Sequence, residues 1–207
     1  LNRYNFIMLK IIINADDCGM NQYVDNEIRS CIEDDIISST TVMANMDDFD
    51  GAVKLYQEFH NSISFGIHFN LAEGHPLLYS QCLVDNGLYV EGDGKYVFFK
   101  NFNFYNSLTK AMQIDIEKEL EAQAEKILDS GIKPSHIDSH CHVHFQRPLI
   151  PIFCRLADKY GQQKIRKEYT FFLHRSIPVV LKDLIRQNIA RICCPKLKNV
   201  DIFCSGE

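Results

Sequence analysis

Apolar positions along the chain follow two periods, one typical of short strands and one typical of amphipathic helices. Compact apolar or β-branched runs predict strands at residues 9–13, 39–43, 64–67, 136–139, 163–166 and 199–203. Apolar residues at helical spacing predict helices at residues 24–36, 47–59, 114–128, 149–160 and 179–189. Repeated strand–helix alternation is typical of a parallel sheet, so we predict an α/β fold, which both doubly wound sheets and (β/α) barrels would satisfy.

One long connection, residues 72–107, interrupts this alternation. It is rich in glycine, asparagine and aromatic residues, and residues 84–88 carry a turn signal. Connections of this length are usually functional, so we expect the segment to act as a lid or a substrate loop.

Composition restricts the class of protein. The chain has 207 residues, of which 46% are hydrophobic, and this predicts one globular domain. A net charge of −5 argues against nucleic acid and anionic membranes as partners, and no apolar stretch approaches membrane-spanning length. The eight cysteines are irregularly spaced and the N-terminal residues lack a signal-peptide pattern, so we expect reduced thiols and a cytoplasmic protein. A homo-oligomer such as a dimer stays open.

Candidate chemistry lies at the predicted strand ends. Asp16 and Asp17 follow the first predicted strand, His68 follows the third and His140 follows the fourth. The carboxyl ends of parallel strands meet at one edge, so these side chains should converge. One carboxylate with two imidazoles leaves coordination positions open, as catalytic metal sites do, and the second carboxylate would then serve as general base. Both carboxylates face the site only if the chain turns, which Gly19 would permit.

Each feature alone has an ordinary structural explanation, since an Asp-Asp pair is often a solvated turn and a lone histidine is often a core or surface residue. Their joint position at three strand ends favours the metal site. The remaining isolated histidines are expected to be structural or surface residues: His60, His75, His136 and His174. The chain carries no phosphate-binding glycine loop and no nucleophile elbow.

Four segments resemble the YdjC-like carbohydrate deacetylases, which include chitooligosaccharide deacetylases. They are NADDCG (14–19), SSTTVMAN (38–45), GIHFNL (66–71) and PSHIDSHCHVH (134–144). The resemblance implies a (β/α) barrel-like fold related to the polysaccharide deacetylases, a divalent metal annotated in that family as magnesium, and hydrolysis of N-acetyl groups on sugars. Matched position by position, it implies Asp17, His68 and His140 as metal ligands and Asp16 as the catalytic base.

The chain departs from the family pattern at three points. Cys18 replaces a usual Phe, and Cys141 replaces a usual His, which could favour zinc over magnesium. Members of the family usually continue beyond the equivalent of Glu207, so we expect residues 1–207 to be one YdjC-like deacetylase domain lacking its last strand–helix units. The general acid of that missing part would have to be replaced by His142 or His144.

Three functions therefore remain open. The first is a metal-dependent deacetylase of N-acetylated oligosaccharides, the second a non-catalytic sugar- or metal-binding relative, and the third a metal-dependent phosphoesterase. Sugars stack on aromatic faces, so we expect a substrate role for one or both of Tyr79 and Tyr89, while the Phe residues of the long connection pack. An incomplete barrel exposes sheet edges, so we expect this chain alone to be weakly active or inactive and either to self-associate or to be unstable.

Overall fold

Strands and helices alternate along the chain in a computed structural model that describes residues 11–92, 94–99, 104–166 and 198–200. The strands are β1 (Asn14–Cys18), β2 (Ser39–Val42), β3 (Ser64–Phe69), β4 (Tyr89–Gly92), β5 (Lys95–Phe98), β6 (Ile137–Ser139), β7 (Lys164–Arg166) and β8 (Lys198–Val200). The helices are α1 (Gln22–Glu33), α2 (Phe49–Phe59), α3 (Gln81–Asp85), α4 (Lys110–Asp129) and α5 (Ile150–Lys159). Two 3₁₀ helices span Phe104–Ser107 and His140–Phe145. None of the described helices is long and apolar enough to cross a bilayer.

Six strands form one parallel sheet in the order β1-β2-β3-β6-β7-β8, and β4 and β5 form a separate antiparallel hairpin. The predicted α/β class is thus confirmed. Strands that are adjacent in the sheet follow one another along the chain, as in a (β/α) barrel, whereas a doubly wound sheet reverses its order. Within the described residues β1 and β8 lie at the edges of the sheet, and closure into a barrel stays a prediction.

The prediction of a first strand at residues 9–13 is wrong at residues 11–13, and residues 9–10 lie outside the described residues. β1 starts at Asn14, and the preceding Ile11 and Ile13 are 58% and 47% exposed. β1 is a polar strand, and it pairs with the polar strand β2, with Asn14 opposite Ser39 and Ala15 opposite Thr40. A search for an apolar run therefore places the first strand at the residues that directly precede β1.

The predictions for the later elements agree with the structure to within a few residues where it describes them. β2, β3, β6 and β7 and helices α1, α2, α4 and α5 lie where the pattern places them. β8 overlaps the predicted strand at residues 199–203, while the predicted helix at residues 179–189 lies outside the described residues.

The cysteines do not all match the expectation. Cys18, Cys31, Cys82 and Cys141 are not disulfide-bonded, but Cys154 is. The expectation of reduced thiols is therefore wrong at Cys154.

Helix α4 packs on the sheet through a face that combines apolar and polar side chains. Ile116, Leu120 and Ile127 are fully buried there, and so are Glu119 and Gln123. Thr109 caps the start of the helix by accepting from the Met112 amide. The periodicity identifies the helix correctly, but it does not predict the two buried polar residues.

Those two polar residues fix the start of the long connection. The Glu119 carboxylate accepts from the amides of Leu77 and Leu78 at 3.0 and 2.8 Å, and Gln123 bonds both backbone groups of Asn70. Burial raises the pKa of Glu119, and hydrogen bonds from Gln123 and from the two leucine amides oppose that rise. The backbone groups of Asn70 and the amides of Leu77 and Leu78 are thus satisfied inside the fold, which positions this segment against α4.

The long connection carries structure of its own, namely the Phe104–Ser107 turn, α3 and the β4–β5 hairpin. The predicted turn at residues 84–88 ends α3, where Gly87 has φ 75°. The turn of the hairpin itself includes Gly94, at φ 76°. A positive φ favours glycine at both positions.

Gly66 in β3 provides a test of the core packing. A Cβ at this position would lie 2.6 Å from Cε1 of the buried His136 and 2.8 Å from Cγ2 of Thr41. We expect Gly66→Ala to lower the free energy of unfolding by about 1–3 kcal/mol, measured by urea denaturation. Gly92→Ala is the matched control, because its Cβ would meet only Val97 at 3.8 Å. Equal stability of the two variants would contradict this description of the core.

Candidate metal centre and active site

A bulge at the end of β1 brings two neighbouring carboxylates to one side. The ladder with β2 pairs Ala15 with Thr40 but Cys18 with Val42, so β1 carries one extra residue. Asp17 takes up the irregularity with φ 67°. In a regular strand Asp16 and Asp17 would point to opposite faces. The expected turn therefore exists, but it lies at Asp17 itself, with Gly19 following at φ 90°.

Asp17, His68 and His140 converge, as the strand-end pattern predicts. Asp17 Oδ1 lies 3.0 Å from His68 Nε2 and 2.7 Å from His140 Nδ1. One ligand atom from each of the three residues lies within 4.8 Å of the others. His68 is buried next to the end of β3, and His140 follows β6 directly. The donor set of one carboxylate and two imidazoles fits a divalent metal and leaves coordination positions open.

The charges within this cluster compensate one another. Burial opposes ionisation of Asp17, but hydrogen bonds from His140 and His68 outweigh it and hold the pKa of Asp17 below its ordinary value. Burial lowers the pKa of His68, but the charge and hydrogen bond of Asp138 raise it overall, to about 10. Burial likewise opposes the charging of His140, and the hydrogen bond to Asp17 raises its pKa to about 10. Positive charge beside the carboxylates thus stabilises the site, and a divalent cation would also supply such charge.

Asp138 stands behind His68. Its carboxylate is fully buried and accepts from His68 Nδ1 at 2.5 Å and from Thr41 Oγ1 at 3.3 Å. Burial raises the pKa of Asp138, but the charge of His68 outweighs it and lowers the pKa well below the ordinary range. The bond to Nδ1 leaves His68 Nε2 directed at Asp17, the tautomer that a metal ligand needs.

Arg166, which the sequence analysis did not select, joins the two groups. Its Nη1 donates to Asp16 Oδ1 and Oδ2 at 2.6 and 2.7 Å and to Asp138 Oδ2 at 3.0 Å. Arg166 is the last residue of β7, so the strand-end rule that selected His68 would also have found it. Asp16, His68 and Asp138 form a second group close enough to hold a metal, but Arg166 already forms ion pairs with both carboxylates of that group.

Glu73 approaches the centre from the long connection. Its Oε1 lies 3.5 Å from His140 Nε2, on the side of the ring opposite Asp17. The sequence analysis did not select Glu73, because this residue lies neither at a predicted strand end nor in one of the four segments that resemble the family. Its position places the start of the long connection beside the metal ligands.

The two histidines proposed as acids occupy different surroundings. After His140 the backbone is left-handed at two successive non-glycine residues, Cys141 and His142, with φ 52° and 53°. Such conformations cluster at functional sites. His142 is exposed, whereas His144 is buried and its Nδ1 lies 2.5 Å from Ser139 Oγ. Burial lowers the pKa of His144 to about 3, so its ring is neutral at neutral pH.

The two tyrosines also differ. Tyr79 is 60% exposed, so its ring is available to a ligand. Tyr89 is 1% exposed and packs edge-on against Phe98, with 5.2 Å between ring centroids. Tyr89 therefore offers no open face to a sugar, and the expected substrate contact does not fit it.

Comparison with known proteins identifies the family of this chain. The model of a family described as YdjC-like protein matches residues 10–200. The chain belongs to this YdjC-like family. It is 36% identical over 152 residues to a carbohydrate deacetylase of Brevibacillus brevis, covering 73% of this chain and 57% of the relative. It is 35% identical to a carbohydrate deacetylase of Geobacillus stearothermophilus, covering 82% of this chain and 63% of the relative.

A solved structure has the same fold. It is described as a cellobiose-phosphate cleavage protein of Enterococcus faecalis V583, and the two chains share 26% identity with a TM-score of 0.65. The match covers 86% of this chain and 64% of that one. The chain spans about three fifths of the length of the curated YdjC-like relatives named above. The family that the four sequence segments predict is thereby confirmed.

The contact between Asp138 and His68 generates a prediction. We expect Asp138→Asn to weaken binding of a divalent metal about 10- to 100-fold, because the amide no longer holds His68 in the ligating tautomer. Competition with a chromophoric chelator measures the affinity, and the visible spectrum of the Co²⁺-loaded protein reports the altered ligand field. Glu119→Gln is the control, since it also converts a fully buried carboxylate to an amide, away from the cluster. Equal affinities in the two variants would remove Asp138 from this role.

Proposed function

We propose that this chain hydrolyses N-acetyl groups on carbohydrates of the chitooligosaccharide class with a divalent metal held by Asp17, His68 and His140. The observation that carries the proposal is the convergence of these three side chains at strand ends with Asp16 beside them. The names of the deacetylase relatives support the reaction. The resemblance suggests magnesium as the metal, and a cytoplasmic location is part of the same proposal.

The chemistry is divided among few residues. A divalent metal at this site would polarise the acetamide carbonyl and lower the pKa of a water molecule. Asp16 accepts the proton of the attacking water as general base. Its side chain is 31% exposed and therefore accessible to solvent, while two short bonds to Arg166 fix the direction of its carboxylate. Arg166 is thus a positioning residue for the base.

The leaving amine requires a proton. Of the two candidate histidines, His142 is exposed to solvent, whereas His144 is buried and neutral. We therefore propose His142 as the proton donor and a structural role for His144, whose backbone and ring both bond Ser139.

The metal assignment is tested by removing its ligands. We expect His68→Ala and His140→Ala each to abolish stoichiometric metal binding, measured by elemental analysis after dialysis. Imidazole ligands favour zinc over magnesium, so Zn²⁺ should bind the unaltered protein more tightly in vitro. His60→Ala is the control, because His60 is exposed and bonds only its own helix at Tyr56. Full metal occupancy in both ligand variants would refute the assignment.

The base assignment is tested separately. We expect Asp16→Asn to retain the metal and to lose acetate release from N,N′-diacetylchitobiose by at least about 100-fold, because an amide cannot accept the proton at neutral pH. Asp129→Asn, an exposed change at the end of α4, is the matched control. Turnover near that of the unaltered protein in Asp16→Asn would show that another group is the base.

Phosphoester hydrolysis, one of the alternatives that the sequence leaves open, is the competing activity. Metal-polarised water would serve that reaction as well. Parallel assays of acetate release from diacetylchitobiose and of p-nitrophenyl phosphate cleavage separate the two. Phosphate release without acetate release would overturn the deacetylase proposal in favour of the phosphoesterase.

A further inference from the structure

A cavity of about 240 Å³ opens between the start of the long connection and strand β5. Its lining residues are His75, Pro76, Leu78, Tyr79, Lys95 and Tyr96. None of them belongs to the metal ligands or to the residues that hold those ligands. The cavity is therefore a feature of its own, for which the proposed chemistry has no use.

The lining combines an aromatic surface with polar groups at its edge. The rings of Tyr79 and Tyr96 lie 5.2 Å apart between centroids at an angle of 52°, and Tyr79 and Leu78 are 60% and 41% exposed. Lys95 is exposed, and the Tyr79 hydroxyl donates to Gln81. Exposed aromatic and aliphatic surface with polar groups around it is typical of ligand sites. A pyranose ring, apolar on its faces and hydroxylated at its rim, matches that combination.

The cavity is held in shape by buried hydrogen bonds. Asn45 Nδ2 donates to the carbonyls of Glu73 and His75, at 3.2 and 3.1 Å. His75 Nδ1 bonds the Tyr96 carbonyl at 2.9 Å, and the buried Glu119 carboxylate binds the amides of residues 77 and 78. A wall fixed in this way loses little conformational entropy when a ligand binds.

The same segment connects the cavity to the metal ligands. Glu73 lies 3.5 Å from His140, and His75, the first lining residue, follows two positions later. Two residues of chain span at most about 7 Å. The cavity therefore lies close to the metal centre along this segment, within reach of a second unit of a molecule whose first unit reacts there.

We propose that this cavity, called the Tyr79–Tyr96 cavity, is a subsite that binds a second pyranose unit of an oligosaccharide while another unit lies at the metal centre. The inference rests on the proposed function and narrows it to oligosaccharides over monosaccharides. Stacking of the sugar ring on Tyr79 supplies the main contact, and sugar hydroxyl groups bond Lys95 and the His75 ring at the edge of the cavity. The subsite sets the preference for substrate length and leaves the chemistry to the metal centre.

Binding to metal-free protein tests the subsite without catalysis. Isothermal titration of EDTA-treated protein with tetra-N-acetylchitotetraose should show about tenfold weaker binding in Tyr79→Ala than in the unaltered chain. Tyr79→Phe, which keeps the ring, should bind within a few-fold of the unaltered chain. Tyr23→Ala is the matched control, because Tyr23 is 73% exposed on α1, outside the cavity. Equal affinities for Tyr79→Ala and Tyr23→Ala overturn the subsite, and so does binding of an aromatic peptide in place of the sugar.

Acetate release then separates this inference from the proposed function. The ratio of kcat/KM for the tetrasaccharide to that for N-acetylglucosamine should fall about tenfold in Tyr79→Ala and stay constant in Tyr23→Ala. Acetate release with an unchanged ratio in Tyr79→Ala overturns the subsite and leaves the deacetylase proposal standing. Tyr79-dependent binding of the sugar without acetate release from any substrate supports the subsite and overturns the deacetylase proposal.

Discussion

Crowding of carboxylates at one edge of the parallel sheet is the constraint on which this structure depends. Asp16, Asp17 and Asp138 lie together there, and like charges this close and this buried are strongly unfavourable unless opposite charge is supplied. Among the described residues Arg166 and the two raised-pKa imidazoles of His68 and His140 supply it. A divalent cation could replace the two imidazolium protons without altering the net charge of the cluster. The folded protein without metal thus already has the electrostatic balance of the loaded one.

The sheet is adapted to this edge. β2 is wholly buried yet carries the hydroxyl residues Ser39, Thr40 and Thr41. Thr41 contacts both His68 and Asp138, and Thr40 bonds the carbonyl of Ala15 in β1. A strand of larger apolar residues would have packed the interior as well, but it would have left the carboxylates without these partners.

Sequence reasoning reached the candidate ligands because their positions follow from topology. Parallel strands bring their carboxyl ends together, so Asp17, His68 and His140 could be found without knowledge of any contact. Arg166 was equally placed, but only a search for metal ligands was applied to strand ends, and arginine is not a ligand. Asp138 and Glu73 could not be found this way, since their roles depend on which histidine nitrogen faces which carboxylate. The predicted first strand was displaced from β1, because β1 carries the polar residues of the site and a search for apolar runs does not detect a polar strand.

The extra residue in β1 has a consequence for anyone who would transplant this site into another scaffold. Copying the side chains of Asp16 and Asp17 onto a regular strand would turn one of them to the opposite face, since alternation permits only one per side. The left-handed turn at Asp17 and the shifted pairing from Ala15 to Cys18 must be transferred with them. By the same reasoning, an alignment that closes a one-residue gap anywhere between positions 15 and 18 would exchange the proposed base and the proposed metal ligand. The spacing of this segment therefore specifies the two roles as firmly as the identity of its residues does.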